Sequence, residues 1–178
     1  MKKHQAGIGL VLGGVLTLTL GAQGTNETSE NPTVTVGTFD SRAVAIACVR
    51  SDAFADRMRA LHAELDQART AGDEKRVAEL EAMGPAMQKQ IHGQGFGTAP
   101  VDDIIARIED ELSGIAKEAG VDVIASKWAL AYRSPAAKFV DVTDRLAAEL
   151  DPDAETLKVI RETVASEPIP QNEFGRDH

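Results

Sequence analysis

The stretch covering residues 119–146, AGVDVIASKWALAYRSPAAKFVDVTDRL, constrains the fold more than any other part of this chain. A helix ends at Gly120, short β-type runs follow over 121–125, 128–133 and 139–142, and Ser134-Pro135 marks a turn. Thr143 then caps a new helix. The one earlier strand is 33–39, TVTVGTF, whose alternation marks a half-buried strand. A sheet built from these pieces must be closed by segments far apart in sequence, with helices projecting between them. The expected class is α+β: a small antiparallel β body, its first strand N-terminal and two or three strands C-terminal. A long helical hairpin or coiled-coil arm separates them.

The arm is read from heptads. Phe54, Met58, Leu61, Leu65 and Ala68 are spaced 4, 3, 4, 3, and Val77, Leu80, Gly84, Met87 and Ile91 repeat the alternation. The two seams are out of phase, and the mismatch falls at Thr70-Ala71-Gly72-Asp73, where Gly ends one helix and Asp starts the next. Pro85 predicts a kink. Residues 92–100, HGQGFGTAP, interrupt the helices; Pro100 and Asp102-Asp103 suit a new first turn. Val101, Ile104, Ile105, Ile108, Leu112 and Ile115 give that next helix its apolar stripe. Asp40-Ser41 offers N-cap oxygens to a short helix over 42–49, although AVAIACV also fits an extended strand. Asp151-Pro152 starts a last helix that runs to about Ser166.

The N-terminus has the form of a secretory signal peptide: Lys2, Lys3 and His4, an apolar run of 17 residues from 6 to 22 that includes five Gly, then polar QGTNETSENPT. Cleavage after Ala22 gives a periplasmic or otherwise exported chain, and retention makes the segment an N-terminal anchor. The domain organisation expected is signal or anchor 1–22, disordered spacer 23–32, one domain over 33–166, and a flexible tail 167–178. Within the domain, 33–50 and 120–150 form the body, 51–119 the arm, and 151–166 an extra C-terminal helix. The full chain carries a net charge of −9, and loss of Lys2 and Lys3 leaves 17 basic against 28 acidic residues, or −11. Such a surface repels nucleic acid and anionic headgroups. The single Cys48 excludes an intrachain disulfide and reads as a buried small hydrophobe.

Several strings in this region resemble the OmpH-like (Skp) family of periplasmic chaperones. Glu118-Ala119-Gly120-Val121-Asp122-Val123-Ile124 is similar to that family's E-x-G-Y-D-hydrophobic strand. Leu130-Ala131-Tyr132 is similar to its strand around a Tyr, and Val140-Asp141-Val142-Thr143-Asp144 to its D-[IV]-T-[DK] helix entry. Residues 34–44 look like the family's first strand and helix. About 45 residues carry the likeness. The resemblance implies a homo-oligomer, a trimer in that family, whose strands form a small barrel and whose arms enclose an unfolded outer-membrane protein. This chain departs from the family in its arm, where 8 Lys or Arg stand against 14 Asp or Glu in 51–119, a net of −6, and where glycines shorten the helices.

No motif marks an enzyme, a cofactor or a metal. The Gly-Gln-Gly-Phe-Gly string lacks the preceding strand and the Lys of a phosphate loop, and reads as a helix–helix connection. His62 and His92 lack companion ligands. Asp102, Asp103, Glu109, Asp110 and Glu111 read as a solvated helix face, and Ser51, Ser126 and Ser134 lack a nucleophile context. Trp128 and Tyr132 are expected to share a strand face as barrel packing. The candidate client- or partner-contacting residues are Phe54, Met58, Leu61, Leu65, Met83, Met87 and Phe96, because flexible thioethers beside aromatics suit promiscuous apolar contacts, although ordinary helix–helix core has the same pattern. The function expected is ATP-independent, holdase-type binding of unfolded or envelope proteins. The alternative is a structural or interaction protein of the envelope with one dedicated partner, and a carboxylate hydrolase stands third.

Overall fold

A computed structural model describes residues 33–170. The expected signal segment, its spacer and the tail beyond residue 170 lie outside the described residues.

The chain enters on strand β1 (Thr35–Phe39) and passes at once into helix α1 (Ser41–Val49). Eight of the nine α1 residues are buried, from Ser41 to Cys48, so this helix is the axis of the core. Its run of Ala, Val and Ile is apolar all round, as a helix enclosed on every side requires. Asp40 caps it, accepting a hydrogen bond from the Arg42 backbone N–H at 3.0 Å.

Helices α2 (Asp52–Ala71) and α3 (Glu74–Gly95) form a hairpin. Ser51 and Asp73 cap their starts, and Gly72 closes α2 in the left-handed region at φ 69°. That glycine falls where the two heptad seams lose phase, so one left-handed residue lets both apolar seams turn inward. Pro85 lies inside α3 on an exposed stretch. The helix continues through Gly95, beyond the interruption expected at residue 92, because Gly93, Gln94 and Gly95 are buried against the body. There the Gln94 side chain donates to the Pro100 carbonyl (2.9 Å) and to Asp103 Oδ1 (2.7 Å).

The stripe from Val101 to Ile115 is not one helix. It is α4 (Asp102–Ile105) and α5 (Leu112–Ala119), joined by a 3-10 turn (Ala106–Glu111) in which Ile108 leaves helical geometry at φ −117°. Across the break Ile104, Ile108 and Ile115 still reach one core, as their i, i+4 and i+11 spacing along a helical path places them on one face. Gly120, in the left-handed region at φ 64°, ends α5. Strands β2 (Val123–Ser126) and β3 (Lys138–Asp141) then precede α6 (Thr143–Ala148) and α7 (Ala154–Val164).

The sheet corrects the expected antiparallel body: its three strands run in the order β2-β1-β3 and both pairings are parallel. Gly37 of the central strand faces Ile124 on one side and Val140 on the other. Residues 127–137 do not form the expected strand with Trp128 and Tyr132 on one face. They are a connection that carries the chain back along the sheet to start β3 beside β1. A hairpin partner would have placed the last strand outside β2, away from the core that Val140 and Val142 now join. Both free edges of β1 are used instead.

Phe39, Ile124 and Val140 share one sheet face, and that face packs on Val44, Ala45, Cys48, Ile104, Ile108, Ile115 and Leu146. A second cluster lies behind α1, where Ala43, Ile46 and Ala47 meet Ala147 and Ile160 of α6 and α7. The two connections cross the sheet in opposite directions, β1 to β2 one way and β2 to β3 the other. A fixed crossover hand then puts them on opposite faces. Helices occupy the first face. On the second, Arg133 of the 127–137 connection places its guanidinium 4.1 Å over the Phe139 ring.

Candidate functional site

Two places in the fold gather chemistry. The first is a groove at the base of the hairpin, a cavity of about 470 Å³ between the end of α1, the start of α2, the second half of α3 and α4. Phe54, Met83, Met87, Ile91 and Ile104 give it apolar walls. Arg57, Arg107, Gln90, Gln94 and Asp103 form its polar rim. Asp103 is engaged by both glutamine amides, at 3.0 Å from Gln90 and 2.7 Å from Gln94. Cys48 lies at the groove's inner wall; burial pushes its thiol up from the ordinary range, and the nearby Arg107 guanidinium only partly offsets that.

The structure thus brings together Phe54, Met83 and Met87. Met83 is 41 % exposed, so its side chain is only partly enclosed by the groove. Met58, Leu61 and Leu65 lie further out on α2, each half-buried along the hairpin seam, where Ala68 and Leu80 are the fully enclosed pair. Phe96 lies elsewhere. Its ring meets His92 edge-on at 5.9 Å, and its carbonyl accepts a hydrogen bond from the Ile169 N–H at 2.8 Å. It borders a separate hollow of about 280 Å³ beside Arg42 and Ser166.

The second place is the carboxyl end of the sheet. Asp40 and Arg42, each 1 % exposed, form a buried pair in which Arg42 reaches both carboxylate oxygens, at 3.0 and 2.7 Å. The loop after β2 adds Lys127, whose Nζ is 2.7 Å from Asp40 Oδ2, and Trp128, whose indole N–H donates to Asp40 Oδ1 at 3.3 Å. The turn after β3 adds Thr143, whose hydroxyl accepts from the Asp40 backbone N–H at 3.0 Å. Arg42 also donates to the Ser166 carbonyl at 2.9 Å and ties the end of α7 to the cluster. Burial opposes ionisation of Asp40 most strongly, yet the hydrogen bonds from Arg42 and Lys127 together outweigh it and hold the carboxyl below its usual range. Ser41 Oγ, buried beside this cluster in sequence, has no hydrogen-bond partner.

Sequence reasoning missed this cluster, treating Asp40 only as a cap and Trp128 as strand packing. A signal was present: Asp40-Ser41-Arg42 is a polar triplet between two apolar runs, TVTVGTF and AVAIACV. Polar residues flanked so closely by core must find partners inside it. Their partners, Lys127, Trp128 and Thr143, are some 90 to 100 residues away and had no such mark.

Among the described residues, no helix is long and apolar enough to cross a membrane, and no group of three metal-binding side chains converges. Comparison with known proteins finds no family model, curated protein or solved structure that matches the chain.

Proposed function

We propose that the chain is an exported, non-catalytic binding protein that holds apolar segments of unfolded or envelope proteins without ATP. The observation that carries this reading is the hairpin-base groove, where Phe54, Met83 and Met87 stand together with their thioethers partly open to solvent. Unbranched Met side chains adapt to differently shaped apolar groups, which suits a binder of many segments. The acidic exterior keeps such a complex soluble. The likeness of residues 34–44 and 118–144 to OmpH-like chaperones points the same way, and with it goes assembly into an oligomer, a trimer by that resemblance.

The test is suppression of aggregation. An outer-membrane protein diluted from urea is expected to stay in solution in the presence of a several-fold excess of the mature chain, and Met83→Gln with Met87→Gln is expected to weaken that protection. Absence of protection by the unaltered chain would end the holdase reading. Light scattering on the mature chain checks the assembly separately, since a clean monomer removes the oligomer from it.

The groove's volume, about 470 Å³, admits one or two side chains rather than a long segment. That limit favours a second reading, a dedicated envelope partner that inserts a single apolar anchor. Pull-down from envelope extracts separates the two: one stoichiometric partner supports the anchor, many unfolded partners the holdase.

A further inference from the structure

The hairpin-base groove carries unmatched positive charge on an otherwise acidic chain. Arg59, Arg69 and Arg76 of the hairpin each hold a carboxylate, those of Asp56, Glu81 and Glu64. Arg57 and Arg107 both line the groove, and among the described residues neither pairs with a carboxylate. Arg107 donates to the Cys48 sulfur at 3.5 Å. It also borders a neighbouring hollow with Glu149, Asp151 and Asp153, and pairs with none of them. Asp103 is the one carboxylate on the groove lining, and the Gln90 and Gln94 amides already hold it. Burial raises the Cys48 thiol most, while Arg107 and Arg57 pull it down and Asp103 pushes it up, so all three charges act on the same inner wall. With two guanidiniums to one carboxylate, the field of the groove favours an anion, although the whole chain carries −9.

A further polar group lacks a partner. Gln94 is 5 % exposed and gives both amide hydrogens away, to the Pro100 carbonyl and to Asp103. Among the described residues nothing donates to its Oε1, and an amide oxygen so placed favours an N–H from an occupant. The groove therefore suits three groups within about 470 Å³: an apolar side chain, an anion and an N–H donor. The last residue of a polypeptide carries all three on a single Cα. An internal apolar residue lacks the anion, and a fatty acid lacks the N–H.

Resting on the reading of this groove as a binder of apolar protein segments, we propose that it takes the carboxyl-terminal residue of a partner polypeptide. The apolar side chain of that residue lies against Phe54, Met83 and Met87. Its α-carboxylate is held by Arg57 and Arg107, whose planar guanidiniums match a carboxylate. Its backbone N–H meets Gln94 Oε1.

The chain has four methionines, and two of them, Met83 and Met87, line the groove, so methyl-labelled methionine reports on it directly. The probe is the peptide acetyl-Gly-Ser-Gly-Ser-Leu with a free carboxylate, set against the same peptide ending in an amide and against decanoate. The acid is expected to shift the Met83 and Met87 methyl signals saturably. It is expected to bind about tenfold or more tighter than the amide, the usual worth of a charge-assisted hydrogen bond, and tighter than decanoate. Arg57→Gln and Arg107→Gln are each expected to bring the acid close to the amide. Equal binding of acid and amide overturns the proposal and leaves the groove a binder of apolar segments. Tighter binding of decanoate overturns it in favour of a fatty-acid occupant. No saturable shift with either peptide overturns it together with the groove as the binding place. The comparison of ligands uses the unaltered chain and stands whether or not either variant folds.

Discussion

Lys127 Nζ stands 2.7 Å from Asp40 Oδ2 across neighbouring parallel strands, as the second cation on a carboxylate that Arg42 already holds. The two cations are not equivalent. Arg42 is fully enclosed and, among the described residues, has no other charge partner, whereas Lys127 keeps contact with water. Asp40→Ala leaves the Arg42 guanidinium buried and uncompensated and also removes the α1 cap, so a loss of about 3–5 kcal/mol is expected. Lys127→Met removes a partly solvated partner and is expected to change stability by no more than about 1 kcal/mol. Urea unfolding midpoints at neutral pH check both. A Lys127→Met loss as large as that of Asp40→Ala would mean that the lysine, not the arginine, neutralises the carboxylate.

The same cluster is expected to contribute to acid unfolding. Asp40 has a native pKa below its ordinary value, so the unfolded chain takes up its proton first as pH falls. The stability it contributes is fully present above the unfolded value, about 3.9, and is lost as pH drops toward and through the native one. Unfolding free energy is therefore expected to decline below about pH 4 through this group, and Asp40→Asn is expected to flatten that part of the profile. Urea midpoints collected from pH 6 down to pH 2.5 test it; an unchanged acid slope in the variant assigns the loss to other carboxylates.

Two glycines distinguish crowding from backbone strain. A Cβ on Gly37 meets Val121 Cγ2 at 3.1 Å, and Ile124 Cγ1 and the Val123 carbonyl at 3.3 Å, because the edge strand closes directly over the central one. Gly37→Ala must push β2 outward and is expected to cost about 1–3 kcal/mol. Gly72 has open space around it but holds φ at 69°, so Gly72→Ala is expected to cost about 1 kcal/mol through the backbone alone. Gly72→Asn should recover part of that loss, since Asn tolerates the left-handed region, whereas Gly37→Asn should be worse than Gly37→Ala. Thermal denaturation of the four variants gives the ranking.

Local features of this chain were legible because they rest on near neighbours. Out-of-phase seams, Gly72 and Asp73 mark the hairpin turn within a few residues. The direction of the strands was not legible. Residues 128–133 have strand composition, and Ser134-Pro135 does turn, with Ala136 N–H bonding the Ser134 hydroxyl at 3.2 Å. The pairing itself has no local mark: β1 takes β2 on one edge and β3 on the other, contacts across roughly 90 to 100 residues, with Val121 and Ile124 fitted closely over Gly37 on the β2 side. The candidate sites divide the same way. Phe54 and Met87 could be found from periodicity and Met83 from its thioether beside them, whereas the separation of Phe96 goes with α3 running past the expected stop, where Gln94 bonds Pro100 and Asp103.

The hairpin offers a direct comparison of apolar and ionic stabilisation. Arg76 joins Glu64 across the helices at 2.6 Å and Glu79 on its own helix at 2.9 Å, and Arg69 reaches Glu81 at 2.8 Å. All of these groups are well solvated, and exposed pairs of this kind contribute little once side-chain ordering and salt screening are included. Leu80 is different. It is buried on a helix pair whose other fully enclosed side chain on α2 is only Ala68, so nothing large is available to fill the space it leaves. Leu80→Ala is expected to cost about 2–5 kcal/mol, with the outer turns of α2 and α3 losing amide protection before the sheet does. Arg76→Ala is expected to leave the unfolding midpoint nearly unchanged and to reduce its dependence on salt. Hydrogen exchange on the two variants decides the matter: early exchange of the hairpin in Arg76→Ala, with protection retained in Leu80→Ala, would show that the hairpin is held by its charges.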